Sequence, residues 1–425
     1  MERTFIGDLS IANSRVRVCG WVQEIRRLKN ILFIILRDST GLCQLTIKGD
    51  MIEPWMDRIQ RESVLCAEGE NIKDGISKAG REVSVTSLEL LNGARSPLPL
   101  APFDPVKADI ETRLNNRFLD LRRKDHLAIF RIKSSLLYGI RKFLHSQNFI
   151  EVQTPKVVAS ATEGGADLFA VKYFESNAYL NQSPQLYKEI LISAGFERVF
   201  EVGPAFRAEK HNTTRHLNEF TSVDIEMGFS DHNDAMAVLE QAVSAGITNV
   251  LAERSLDLMA VGKAISLQKT PFPRISFSEC CDILSGQGQD HNVEEDFSPE
   301  ELKIIGDRFE GFYFITGWPS SLRPFYTMPD QKDPQFTNSF DLQYREKEIT
   351  SGAQRVHDPE LLKERFLAKG LNPEDFDFYI KAFEYGMPPH AGWGLGLERL
   401  TMILLDLQNI RETSLFPRDR TRIKP

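Results

Sequence analysis

The sequence predicts an α+β protein of two domains, an all-β module at residues 1–100 and a larger mixed domain at residues 125–425. Three observations predict it. The chain has 425 residues, too many for one typical core. Its first hundred residues read as short strands separated by turns, whereas helical spacing sets in from Lys124. Between them lies a proline-dense stretch, residues 96–105, with Pro97, Pro99, Pro102 and Pro105. Such a stretch extends neither helix nor sheet, so residues 101–124 are expected to act as a linker or hinge.

Residues 16–22 alternate, with Val16, Val18 and Val22 set against Arg17 and Trp21. Residues 31–37 form an apolar strand stopped by Asp38-Ser39-Thr40-Gly41, residues 42–47 alternate again, and residues 83–91 supply a last strand. About five strands in a hundred residues suit a small barrel such as the OB-fold, a common platform for single-stranded nucleic acid. In the second domain, Ile129, Phe130, Leu136, Leu137, Ile140, Phe143 and Leu144 give residues 126–147 the spacing of an amphipathic helix. Residues 149–155 then read as a strand stopped by Pro155, and strand and helix signals alternate to the C-terminus.

Composition is that of a soluble globular protein, 41% hydrophobic and 26% charged. The longest apolar run, residues 31–36, is too short to span a bilayer, and the first residues lack a signal-peptide stretch, so no membrane partner is expected. The five cysteines form no C-x-x-C pair, and a reduced, cytosolic protein fits. The net charge of −8 argues against wholesale phosphate binding. Three local basic clusters remain, at residues 26–29, 122–124 and 418–424, each most simply a solvated surface.

No G-x-x-x-x-G-K-[ST] loop is present. Gly392, Gly394 and Gly396 imitate part of a dinucleotide fingerprint, but Glu398-Arg399 follows where its last glycine should stand. Three other segments carry more: the helix and strand ending at Pro155; Phe206-Arg207-Ala208-Glu209 with Arg215-His216 and residues 219–227; and Gly394-Leu395-Gly396-Leu397-Glu398-Arg399-Leu400. In this order, behind a small β-barrel, they resemble motifs 1, 2 and 3 of class II aminoacyl-tRNA synthetases. Residues 161–166, 182–188, 207–216 and 351–355 are similar to the aspartyl-tRNA synthetases of archaeal and eukaryotic type. The asparaginyl relatives usually show alanine where Pro184 stands and lack a lysine matching Lys188.

The resemblance implies a catalytic domain built on an antiparallel sheet flanked by helices. It implies two steps: aspartate attacks the α-phosphate of ATP, and the aspartyl group then passes to the end of a tRNA. Positioning and charge stabilisation should dominate such chemistry. By this likeness Arg207 bridges the substrate carboxylate and the α-phosphate, a task suited to a guanidinium fork. Phe220 and Arg399 sandwich the adenine, Arg215 and His216 meet the outer phosphates, and Glu209 meets the adenine or the tRNA end. Asp341, Glu348 and Ser351 match positions that hold Mg²⁺, and hard oxygen donors suit that ion. Lys188 and Arg355 hold the side-chain carboxylate of aspartate, Glu163 and Gln185 take the ammonium, and Asp224 orients Lys188. Paired cations that would otherwise be buried without a negative partner explain rejection of asparagine.

In the barrel, Phe33 and Gln44 match positions that contact the anticodon, although a core role for Phe33 is the alternative that periodicity leaves open. Near Gln23 some relatives carry tryptophan and charge only tRNA-Asp, while others carry histidine and also charge tRNA-Asn. Glutamine matches neither, so both tRNAs stand as partners. The family works as a homodimer through motif 1. Rival readings are a relative specific for asparagine or lysine, an inactive RNA-binding paralogue, and a barrel-less aspartate-activating enzyme. The barrel speaks against the last, and the retention of Arg207, Arg399, Glu348, Lys188 and Arg355 against the paralogue.

Overall fold

A computed structural model describes the chain except residues 10–13, 56, 73–79, 104–107, 160–167, 211–212 and 425. It divides into two compact units, Met1–Thr112 and Arg113–Pro425. Of the residues expected to form a linker, those from Arg113 onward belong to the second unit. Arg113 and Arg117 both pair there with the buried Asp120, and Arg113 also reaches Glu412.

The first unit is a closed barrel of β1 (Arg15–Leu28), β2 (Ile31–Arg37), β3 (Leu42–Lys48), β4 (Val64–Ile72) and β5 (Glu82–Asn92), in the order β1-β2-β3-β5-β4. Period-two alternation sends Val16, Val18, Val22, Leu32, Ile34, Leu36, Leu45 and Ile47 into one interior cluster. The intervening residues face outward. Cys19 and Cys66 stand opposite each other on β1 and β4 and are joined as a disulfide, which corrects the expectation that all five cysteines are reduced. Antiparallel register brings their Cα atoms within bonding range, a proximity that a spacing of 47 residues does not reveal.

The second unit is built on an eight-stranded sheet. Its strands are β6 (Ile150–Glu151), β10 (Arg198–Phe206), β11 (Glu219–Gly228), β12 (Arg274–Ser276), β13 (Phe312–Thr316), β14 (Ser339–Tyr344), β15 (Lys347–Gln354) and β16 (His390–Gly396). The order is β12-β13-β14-β15-β16-β11-β10-β6, antiparallel except at β12–β13 and β10–β6. β7 (Val157–Val158), β8 (Ala170–Tyr173) and β9 (Ser176–Leu180) form a separate three-stranded sheet.

The amphipathic helix runs over Lys124–Ser146 and buries Ile129, Ile132, Leu136, Ile140 and Leu144. It packs on the helix His232–Glu253, whose N-terminus carries an Asp231/Asp234 capping box, and both share one core with the sheet. By length and composition His232–Glu253 could cross a membrane, but half of its most apolar window is buried within this core. The strand expected over residues 149–155 is shorter, ending at Glu151. Beyond it the Glu201 carboxylate accepts from the Thr154 amide (3.2 Å) and hydroxyl (2.7 Å), replacing ladder bonds, and Pro155 has no N–H to offer.

Candidate active site

β11, β14, β15 and β16 line one open pocket in the second unit. β10 and β11 form a hairpin in exact antiparallel register from Arg198↔Met227 to Phe206↔Glu219. Alternation along β11 divides its side chains between two faces. Val223, Ile225 and Met227 enter the hydrophobic core, while Phe220, Ser222 and Asp224 line the pocket, with Glu226 next on that face.

At one end of the pocket, Arg207 leaves the hairpin. Its amide donates to Asn218 O (2.9 Å), and its guanidinium carbon lies 5.4 Å from the centroid of the Phe220 ring. Glu209, Arg215 and His216 join the same wall, with the His216 ring 2.7 Å from the Thr213 hydroxyl. Across from them, Arg399 at the start of the helix Leu397–Leu404 donates to Glu348 O (3.0 Å). Glu398 beside it holds Lys133 (2.6 Å) and the Thr221 amide (2.9 Å), so it ties the helix to β11.

The oxygen donors gather on β14 and β15. Asp341 and Ser351 are directly opposed, and Ser351 donates to Asp341 at 2.7 Å. Arg323, absent from the sequence-based set, donates to Asp341 (2.6 Å) and Ser351 (3.0 Å) from a loop. Burial raises the Asp341 carboxyl to about 6 even though Arg323 pulls it down, and the nearby Glu348 charge adds to the rise. Two hard carboxylates that disfavour each other's charge, beside a hydroxyl, are chemically suited to Mg²⁺. Among the described residues no cluster of three or more His, Cys, Asp or Glu side chains gathers for a metal, so two carboxylates and Ser351 are what this wall offers.

At the other end lie the buried charges. Arg355 sends Nε to Glu226 Oε1 (2.9 Å) and Nη2 to Glu226 Oε2 (3.3 Å). Lys188 lies behind the wall, with Asp224 at 3.2 Å, Glu226 at 3.3 Å, and the carbonyls of Ile225 and Trp393 at 3.1 and 3.3 Å. Four acceptors thus surround three N–H groups. Burial alone would raise the Glu226 carboxyl, but Arg355 and then Lys188 and His390 hold it below the usual carboxylate range. The expectation that the two cations lack a buried negative partner is therefore corrected. Glu226, two residues after Asp224 and on the same face of β11, supplies it.

Gly392 and Gly394, which imitate a nucleotide fingerprint in sequence, clear space on β16 for β11. A Cβ at Gly394 would lie 2.9 Å from Asp224 Oδ1, and one at Gly392 would collide with the Glu226 carboxylate. Gln185 is buried and donates to Glu189 (2.6 Å). Glu163 lies outside the described residues. In the barrel, Phe33 alternates with the core residues Leu32 and Ile34, so it faces outward with Gln44 on the neighbouring strand. Gln23 occupies the β-bulge between Val22 and Glu24, where the β1–β2 register slips by one residue.

With this geometry in hand, the comparisons with known proteins converge. Residues 109–420 match the model for tRNA synthetases class II (D, K and N), and residues 16–91 the model for the OB-fold nucleic acid binding domain. The chain is 63% identical to an aspartate–tRNA(Asp) ligase of Thermoplasma acidophilum, each chain being covered in full. It is 49% identical to an aspartate–tRNA(Asp/Asn) ligase of Methanocaldococcus jannaschii, over 96% of this chain and 94% of that one. Among solved structures it is similar to asparaginyl-tRNA synthetase from Pyrococcus horikoshii complexed with asparaginyl-adenylate, at TM-score 0.93 and 34% identity with both chains fully covered. It is also similar to aspartyl-tRNA synthetase from Entamoeba histolytica, at TM-score 0.88 and 35% identity over 100% of this chain and 93% of that one.

Proposed function

The chain belongs to the class II tRNA synthetases (D, K and N), and from that premise we infer that it is an ATP-dependent aspartate–tRNA ligase. It activates L-aspartate as the adenylate, releases pyrophosphate, and transfers the aspartyl group to the 3′ end of tRNA-Asp in the cytoplasm, where these substrates reside. The single observation that carries the amino-acid assignment is the buried Arg355–Glu226 pair with Lys188 beside it, at one end of the pocket. Asparagine, whose side chain is neutral, would offer the remaining Arg355 N–H groups no countercharge and would set its own amide N–H groups against donors.

The residues divide the work by position. Arg207 meets the α-phosphate and the attacking carboxylate, and its charge offsets what develops there. Adenine inserts between Phe220 and Arg399, while Arg215, His216 and Glu209 meet the outer phosphates and the nucleotide edge. Mg²⁺, when bound, neutralises phosphate charge, and Asp341, Glu348 and Ser351 would hold it. With the Gln185 NH2 group directed to Glu189, its oxygen is the atom left to accept from the substrate ammonium, a task the family match also gives to Glu163. Arg355 uses two N–H groups on Glu226 and turns others to the substrate's side-chain carboxylate. Lys188, oriented by Asp224, supplies the second positive charge.

Charging of purified tRNA-Asp and tRNA-Asn with aspartate, asparagine and lysine tests the reading. Aspartate alone should be transferred, and incorporation of asparagine or lysine would overturn it. The same assay examines the barrel, where we assign Phe33 to stacking on an anticodon base, Gln44 to reading a base edge and Gln23 to tRNA choice. Phe33→Ala should weaken tRNA charging by about 1–3 kcal/mol, while pyrophosphate exchange without tRNA is unchanged. Loss of barrel folding in that variant, seen as early thermal unfolding, would return Phe33 to a structural role.

We also infer a homodimer joined through an isologous interface centred on residues 126–155. Tyr138 and Ile150, within this stretch, are large apolar side chains left exposed by the single chain. Light scattering at micromolar concentration should give twice the mass of one chain; a fully active monomer would refute it.

A further inference from the structure

Behind the amino-acid end of the pocket, His390 is completely buried, and both of its ring nitrogens are engaged. Nδ1 lies 2.8 Å from Pro388 O, which can only accept, so this nitrogen carries a proton. Nε2 lies 2.9 Å from Glu189 Oε2. The same carboxylate receives the Tyr379 hydroxyl (2.8 Å) and the Gln185 NH2 group (2.6 Å). Burial and then the Glu189 charge raise the Tyr379 hydroxyl well above its ordinary range, so Tyr379 stays a donor. Glu189 thus gathers three polar neighbours, Tyr379, Gln185 and the His390 ring.

The charges facing this ring come from every element around it. Glu189 belongs to the helix Gln185–Ser193 and Tyr379 to the helix Asp377–Glu384. Arg355, Glu226, Lys188 and His357 surround the strand on which His390 stands. Lys188, Arg355 and the His390 ring thus lie buried among the carboxyl groups of Asp224, Glu226 and Glu189. His390 touches both halves of the recognition apparatus. Its ring holds Glu189, which holds Gln185, and its backbone carbonyl accepts the Arg355 amide at 2.8 Å.

We propose that His390, hydrogen-bonded to Glu189, is a positioning residue for the amino-acid site. The pair fixes the Gln185 amide with its NH2 group inward and its oxygen toward the substrate ammonium. An amide is symmetric in shape, so only the fixed charge of Glu189 decides which way Gln185 points. This rests on the proposed aspartate-activating reading, but the state of the ring can be observed without it.

Glu189→Gln keeps the shape and removes the charge, leaving a neighbour that can donate or accept. In pyrophosphate exchange this variant should raise KM for aspartate about 10-fold, with KM for ATP unchanged and kcat altered far less. ¹⁵N NMR of histidine-labelled protein, with the His390 signals assigned from His390→Asn, should show both ring nitrogens hydrogen-bonded in the natural chain and the Nε2 signal displaced in Glu189→Gln. An unchanged KM for aspartate, or equal losses in KM for both substrates, would overturn the positioning role. A His390 Nε2 free of any hydrogen bond in the natural chain would overturn it even if Glu189→Gln failed to fold. No exchange with aspartate in the natural chain, together with a hydrogen-bonded His390 ring, would instead refute the functional reading and leave the buried pair standing.

Discussion

Arg207→Ala is expected to lower aspartate-dependent ATP–pyrophosphate exchange by about 10²–10³-fold, in a protein that melts at the natural temperature. The side chain is only part-buried and lies over the Phe220 ring, so removing it opens little of the core. What it removes is a fixed positive fork at the reacting end of the pocket. The attacking carboxylate and the α-phosphate are both anionic, and their approach concentrates negative charge at this end of the pocket. Water or a lysine would have to reorganise to meet that charge, whereas the Asn218 carbonyl already holds the Arg207 backbone in place. The loss should fall mainly on kcat. Near-normal exchange in a folded variant would remove Arg207 from the mechanism.

The second large effect is expected at the other end of the pocket. The natural enzyme should favour aspartate over asparagine by a factor on the order of 10⁴, as sites built around a polar group do against an analogue lacking it. Arg355→Leu and Lys188→Met should each reduce aspartate exchange far more than asparagine exchange, so that the ratio collapses. The structure adds a cost that the sequence did not foretell. Both cations already pair with Glu226, and breaking one partner from a buried ion pair typically destabilises by about 3–5 kcal/mol. Thermal melts must therefore accompany the kinetics, and the ratio of the two amino acids, measured on the same preparation, separates lost recognition from lost fold. A natural preference for asparagine would sink the specificity assignment. A ratio that survives both substitutions would sink the electrostatic explanation while leaving the enzyme class intact.

How much of this was legible beforehand follows from how local each signal is. β1, β2 and β3 announce themselves because a half-buried strand alternates, and the Lys124–Ser146 helix because its apolar residues recur at helical spacing. β4 did not stand out, since Glu68, Gly69 and Glu70 interrupt its pattern. Arg207, Phe220 and Asp224 lie close together in sequence on one hairpin, so a short motif captures them. Arg323, Glu189, Tyr379 and His390 reach the site from separate elements, and the Glu189–His390 contact spans 201 positions. No periodicity marks a buried charge whose partner is that remote. Even Glu226, two residues beyond Asp224 and on the same face, gives no local sign that it pairs with Lys188 and Arg355. Phe33 illustrates the reverse case: periodicity left its face open, and barrel closure turned it outward.

The alternation of β11 makes the site a ruler. Phe220, Ser222, Asp224 and Glu226 are spaced by two, so at about 3.3 Å per residue the nucleotide end and the charged end stand roughly 20 Å apart on a rigid backbone. Substitutions along that edge can retune what is gripped at either end without altering the distance between the grips. A single inserted or deleted residue is another matter, because it would exchange the two faces and set Val223 and Ile225 against solvent while driving carboxylates into the core. Across descendants of this chain, the strand should therefore tolerate changes of letter but not of length.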